Sequence, residues 1–108
     1  MARAVVLTDD AAGDLDAIGS YIARYDSPAR AAQVLARIGE AIAALAEMPE
    51  RGAVPAELAA LGIRMYREVF FKPYRIVYRV LPQVVIVFLV ADGRRDMQAL
   101  LQDRLLKP

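Results

Sequence analysis

Six cations crowd the second half of the chain: Arg67, Lys72, Arg75, Arg79, Arg94 and Arg95. Arginine's planar fork grips carboxylate or phosphate through paired hydrogen bonds and keeps its proton throughout the physiological range. The chemistry on offer is therefore anion recognition and charge stabilisation, without proton transfer. The 108 residues include no histidine and no cysteine, which removes the Ser-His-Asp and Cys-His mechanisms and the His/Cys zinc sites. Glycines at 13, 19, 39, 52, 62 and 93 form neither a dinucleotide fingerprint nor a phosphate loop, so no cofactor is expected. Asp9, Asp10, Asp14 and Asp16 point in several directions from a helix and lack calcium-loop glycine spacing. They read as solvated charge compensating a helix dipole, and no metal site is expected.

The elements that must position the cations follow from periodicity. From Tyr74 the residues alternate: Tyr74, Ile76, Tyr78 and Val80 fall on one face of a strand, with Arg75, Val77 and Arg79 on the other. Val84–Val90 is apolar throughout, as a strand covered on both faces would be, and marks the centre of the sheet. Strands are expected at about 64–71, 74–81 and 84–91, and their short links make an antiparallel meander. In such a meander the six cations converge on one side. The competing reading is a solvated basic face in which Arg95 pairs with Asp92 or Asp96. Tyr66, Tyr74 and Tyr78 read as packing residues of half-buried strands.

Upstream, residues 3–7 read as a first strand, and Thr8 caps a helix over 9–25 whose inner stripe is Leu15, Ile18, Ile22 and Tyr25. Ser27 and Pro28 open a second helix running to about Glu47, which buries Ala31, Val34, Leu35, Ile38, Ile42 and Leu45. A three-residue link forces the two helices into an antiparallel hairpin. Residues 55–62 form a brief helical turn stopped by Gly62, and Asp96 caps a last helix carrying Met97, Leu100, Leu101 and Leu105 inward. The string is β-α-α-β-β-β-α: one α+β domain over 1–108, a helical hairpin laid on a twisted, mainly antiparallel sheet.

Composition sets the surroundings. The net charge of +1 hides an asymmetry: residues 1–62 carry five Lys/Arg against nine Asp/Glu, −4, and residues 63–108 carry nine against four, +5. A basic half attracts phosphate or an acidic protein partner. The longest apolar run, Val84–Ala91, is far below the roughly 18 residues of a membrane span, so no membrane association is expected. The absence of cysteine fits a reducing cytoplasm.

The order of elements, the run from Arg67 through Lys72-Pro73-Tyr74-Arg75 to Arg79, and the terminal Asp92-Gly93-Arg94-Arg95-Asp96-Met97 resemble the RelE/ParE superfamily of bacterial type II toxins. Pro49-Glu50-Arg51-Gly52 and Glu57-Leu58 resemble it too. The resemblance implies one of two activities. ParE-like members bind DNA gyrase and block replication without catalysis, whereas RelE-like members cleave messenger RNA on the ribosome. For the nuclease branch, Arg75 and Arg95 fall at matching arginine positions, and Lys72 stands near the branch's lysine pair. Leu101 occupies the place of its C-terminal tyrosine, which leaves no group to take the 2′-hydroxyl proton. The resemblance therefore favours the gyrase-binding branch, with Arg67, Lys72, Arg75, Arg79, Arg94 and Arg95 meeting the target. It also implies a cognate antitoxin whose C-terminal segment wraps the hydrophobic groove and basic surface. A non-toxic structural adaptor fits the composition but leaves the motifs unexplained.

Overall fold

The computed structural model describes residues 2–107. Strand β1 (Ala4–Leu7) ends at Thr8, whose hydroxyl accepts from the Ala11 amide at 3.0 Å and so caps α1 (Asp9–Tyr25). Ser27 does the same for α2 (Pro28–Ala43), accepting from the Arg30 amide at 3.0 Å, with Pro28 at the position where its missing N–H costs nothing. A tight turn over Ala44–Ala46 finishes the second helix slightly before the expected Glu47. A Cβ at Gly19 of α1 would stand 2.8 Å from Leu35 Cδ1 of α2, so the glycine gives that leucine room between the helices.

After α3 (Ala56–Ala59), Gly62 takes φ +77° and turns the chain into β2 (Tyr66–Phe71), β3 (Tyr74–Val80) and β4 (Val84–Asp92). Asp96 accepts from the Ala99 amide at 3.1 Å and opens α4 (Met97–Leu101), which continues into a wide turn over Gln102–Leu106. The sheet order is β1-β4-β3-β2. The last three strands form the expected antiparallel meander, and β1 lies parallel to β4 with Leu7 opposite Val87. No helix is long and apolar enough to cross a membrane among the described residues.

Both faces of the sheet are covered. On the hairpin side, Ile38 and Leu45 of the helical layer pack on Ile76, Tyr78, Val85 and Val87, each of them 0 % exposed. On the other side, Leu58 of α3 and Met97 and Leu101 of α4 cover Tyr66, Val77 and Leu89. Each large aliphatic group so enclosed contributes about 1.5–3 kcal/mol. The register explains how one strand serves both layers: Tyr78 pairs with Val87 and Val77 with Leu89, leaving Phe88 as an extra residue that shifts the alternation of β4. The expected alternation of β3 holds, but its second face is a covered one, with Val77 buried at its centre.

Tyr25 departs from the expected inner stripe. It is the last residue of α1 and stands 68 % exposed, its ring against Tyr21 at 4.7 Å between centroids. The outer edge of β2 is closed at its middle by Ala53, which exchanges two backbone hydrogen bonds with Glu68 at 2.8 and 3.3 Å. Next to it, the buried Gly52 amide donates to the Tyr78 hydroxyl at 3.0 Å.

Asp14 also departs from expectation, being a structural group and not a solvated charge. Where β1 stops, β4 continues with main-chain groups facing an empty edge. Asp14 Oδ2 accepts from the Val90 amide at 2.9 Å, and Arg104 donates to the Phe88 carbonyl at 3.1 Å. The two side chains pair with each other at 2.8 and 2.9 Å, so an ion pair stands where a strand would. Both are mostly shielded, at 14 and 17 % side-chain exposure. Asp14→Ala should therefore lower unfolding stability by about 2–4 kcal/mol, because it orphans the Val90 amide and leaves the shielded Arg104 guanidinium with the Phe88 carbonyl but without its carboxylate. Urea denaturation checks this, and Arg104→Ala added to Asp14→Ala should cost clearly less than Arg104→Ala alone.

Candidate functional site

Pairing register decides which cations share a surface. Tyr66, Glu68 and Phe70 alternate with Arg67, Val69 and Phe71 along β2, and Val69 and Phe71 pack into the hairpin-side core. Arg67 therefore lies on the hairpin side, opposite Tyr78, whereas Arg75 and Arg79 lie on the other side with Val77. The six cations do not converge on one face.

Arg75 is enclosed. Its Nη1 and Nη2 make a bidentate pair with the Glu57 carboxylate at 2.8 and 2.7 Å, and its Nε donates to Glu68 Oε1 at 2.7 Å. Only 12 % of its side chain is exposed. Gly93 leaves room for its stem, since a Cβ there would sit 2.9 Å from Arg75 Cδ. All three nitrogens are occupied, by one carboxylate from the short helix α3 and another from the neighbouring strand. The Arg75 guanidinium holds the Glu57 carboxyl below its ordinary value, and Glu57 in turn raises that of Arg75.

Arg67 is half-buried at the sheet edge, where its Nη1 donates to the Gly52 carbonyl at 2.6 Å and the Glu50 carbonyl at 3.2 Å. It organises the loop that closes the second helix. Arg94, fully in solvent, folds back on Asp92 and holds that carboxyl below its ordinary value. Arg95 is exposed in the same turn, where its amide donates to the Asp92 carbonyl at 3.1 Å. Lys72 is exposed in the β2–β3 turn and Arg79 is half-buried. Among the described residues, neither Lys72, Arg79 nor Arg95 has a carboxylate within 4.0 Å.

Three of the six cations, Lys72, Arg94 and Arg95, join a furrow that alternation along the strands does not reveal. A hollow of about 490 Å³ lies between α1 and the end of β4, lined by Ile18, Tyr21, Tyr74, Val90, Arg94 and Arg95 and also by Asp14 and Asp92, whose carboxylates are taken up by Arg104 and Arg94. Tyr21, Ile22 and Tyr74 are shared with a second hollow of about 370 Å³, which Tyr25, Asp26, Arg30, Phe71 and Lys72 complete. Arg30, Val34 and Phe71 carry it on to a third, where Gln33 and Arg37 stand. Arg30 and Arg37, the i and i+7 positions on the polar side of α2, thus join Lys72 and the Arg94-Arg95 turn along one path. Tyr21 and Tyr25 supply exposed rings along the way. Their i, i+4 spacing was the only trace of this in the sequence; nothing there sets the start of α2 beside the β2–β3 turn. Leu101, in α4, is 1 % exposed and belongs to the core under the sheet.

Comparison with known proteins adds the following. Residues 5–97 match the family described as ParE toxin of type II toxin-antitoxin system, parDE. The backbone is similar to a solved chain from the chromosomal ParDE TA system of P. aeruginosa, with a TM-score of 0.71 and 22 % identity. That match covers 83 % of this chain and 95 % of the other. At that identity the likeness speaks for the fold. No curated relative matches significantly.

The Arg75 cluster has a pH signature. Glu57 titrates lower in the folded chain than its ordinary 4.5, so its contribution to stability is present above that value and is lost as pH falls through the folded value. Thermal melts should show a midpoint that drops on acidification below about pH 4.5. Glu57→Gln should melt lower at pH 7 yet lose less on acidification, since the group that titrates is gone.

Proposed function

The chain belongs to the ParE toxin family of type II toxin-antitoxin systems, and from that premise we propose that it arrests bacterial growth by binding DNA gyrase and blocking replication. The observation that carries the choice of target is the state of Arg75. A nuclease of the related branch would use this strand arginine to hold a scissile phosphate. Here both edges of its fork are filled by Glu57 and Glu68, and two carboxylates stand where a phosphate would have to enter. Leu101, buried against Met97 and Leu89, offers no proton acceptor in place of the nuclease tyrosine. Lys72 and Arg95 remain accessible, yet neither can take a 2′-hydroxyl proton while charged. The protein then works by adhesion: its accessible cations grip a macromolecule and stabilise no transition state.

The partner that silences it is a cognate antitoxin with an acidic, partly apolar segment. The furrow suits such a segment, with Ile18, Ile22 and Val34 on its floor and Arg30, Arg37, Lys72 and Arg95 along its sides. Both proteins act in the cytoplasm, where the chromosome and gyrase are.

Induced expression in bacteria should produce filamentous cells with a DNA-damage response while translation continues, and co-expression of the antitoxin should restore growth. In vitro, the purified chain should inhibit gyrase supercoiling. Lys72→Glu with Arg95→Glu, two surface changes that leave the melt unchanged, should weaken that inhibition by roughly tenfold. Rapid loss of translation with cleaved messages and unimpaired supercoiling would overturn the proposal in favour of the messenger nuclease.

A further inference from the structure

The middle of the furrow has more chemistry than an acidic peptide would use. Its hollow of about 370 Å³ is walled by four aromatic rings, those of Tyr21, Tyr25, Phe71 and Tyr74. Tyr21 and Tyr25 are 66 and 68 % exposed, and Arg24 lies 5.7 Å from the Tyr25 ring centre. Large rings displayed in a group beside guanidinium groups form a surface on which a flat π-system stacks, independent of which base it belongs to. Arg30 and Lys72, both exposed, line it as well. Arg37 lies in the hollow on one side, and Arg94 and Arg95 in the hollow on the other. Only Arg94 of these five has a carboxylate partner among the described residues. The cations are strung along a path, as a row of phosphates would need, and are not gathered around a single anion.

We infer that this cup receives an unpaired nucleobase and that the furrow on either side carries the single-stranded nucleic acid to which the base belongs. Asp26 refines the assignment. It lines the same cup, and as an ionised carboxylate it only accepts hydrogen bonds. That makes it a poor neighbour for a phosphate or an acidic side chain and a good one for the exocyclic amino group of cytosine, adenine or guanine. Thymine and uracil have no such group. The acidic segment proposed above would use the cations and the apolar floor but leave the rings and Asp26 unused, so the two ligands would compete for the furrow. A free nucleotide would fill the cup yet leave Arg37 and the Arg94-Arg95 turn unused. The inference goes beyond the gyrase reading and needs no cleavage, in keeping with the missing proton acceptor.

Fluorescence anisotropy with labelled oligo-dC and oligo-dT of about ten nucleotides tests it, with unlabelled dCMP and polyglutamate as competitors. Oligo-dC should bind at low salt and tighter than oligo-dT, with log K falling against log salt at a slope of about −2 to −3, as three or four phosphate contacts require. Tyr21→Ala and Tyr25→Ala should each weaken binding about tenfold without altering the slope, and Tyr25→Phe should restore it, separating lost stacking from lost folding. Lys72→Glu should flatten the slope, and Asp26→Asn should erase the preference for dC over dT. Absence of binding at low salt overturns the inference. So does binding indifferent to the tyrosines and matched by polyglutamate, which would leave the furrow to the acidic segment alone. Competition by dCMP as effective as by oligo-dC would overturn the strand and leave a nucleotide pocket. The unsubstituted chain should also be run in the supercoiling assay: gyrase inhibition without any oligonucleotide binding would remove this inference alone.

Discussion

Everything on the far side of the sheet is tied to one guanidinium. Arg75 projects from β3, takes a bidentate hold on Glu57 of α3 and a single bond to Glu68 of β2. Those three charges carry a net −1 in a place where water has little access. Burying ions is costly, and such a cluster holds together because every nitrogen of the fork meets an oxygen and because removing one member strands the others. The consequence is specificity of placement. Helix α3 is only four residues long, too short to persist without tertiary support, and its position over the sheet is set by this contact together with Leu58. Once α3 is fixed, Tyr66, Val77, Leu89, Met97 and Leu101 close into a second core.

The same use of charge in place of main-chain pairing recurs at the other border of the sheet. Strand β1 is four residues long and β4 nine, so more than half of one side of β4 lacks a strand partner. Asp14 and Arg104 occupy part of that length and bond to each other, joining the first helix to the end of the chain across 90 positions. Charged side chains thus perform structural work at both Arg75 and Arg104. Lys72, Arg95, Arg30 and Arg37 make no such pair among the described residues and sit on turns and on the exposed side of α2.

Much of this was legible before any coordinates. The caps at Thr8, Ser27 and Asp96, the stop at Gly62 and the meander all follow from local signals: a hydroxyl or carboxylate before a helical stripe, a glycine after one, alternation bounded by turn residues. What escaped was long-range. Alternation puts Arg67 and Arg75 on definite faces of their own strands, but only the pairing register shows that those faces are opposite. Glu57 is 18 residues from Arg75 and Asp14 is 90 from Arg104, and no periodicity links them. Tyr25 keeps helical spacing with the buried stripe, yet it ends the helix, so the period was right and the neighbour was missing. For the same reason the furrow could not be read: its residues come from α1, α2, the β2–β3 turn and the end of β4.

The bridge between Ala53 and Glu68 bears on how such a molecule survives in a crowded cell. An uncovered border strand is a template on which identical chains can stack without limit, and β2, with Phe70 more than half exposed near its end, offers the sticky composition for it. Ala53 fills both hydrogen-bonding positions of Glu68, at the midpoint of that border. A foreign strand finds the ladder interrupted with two residues left on one side of Glu68 and three on the other, too short a foothold for a fibre to begin.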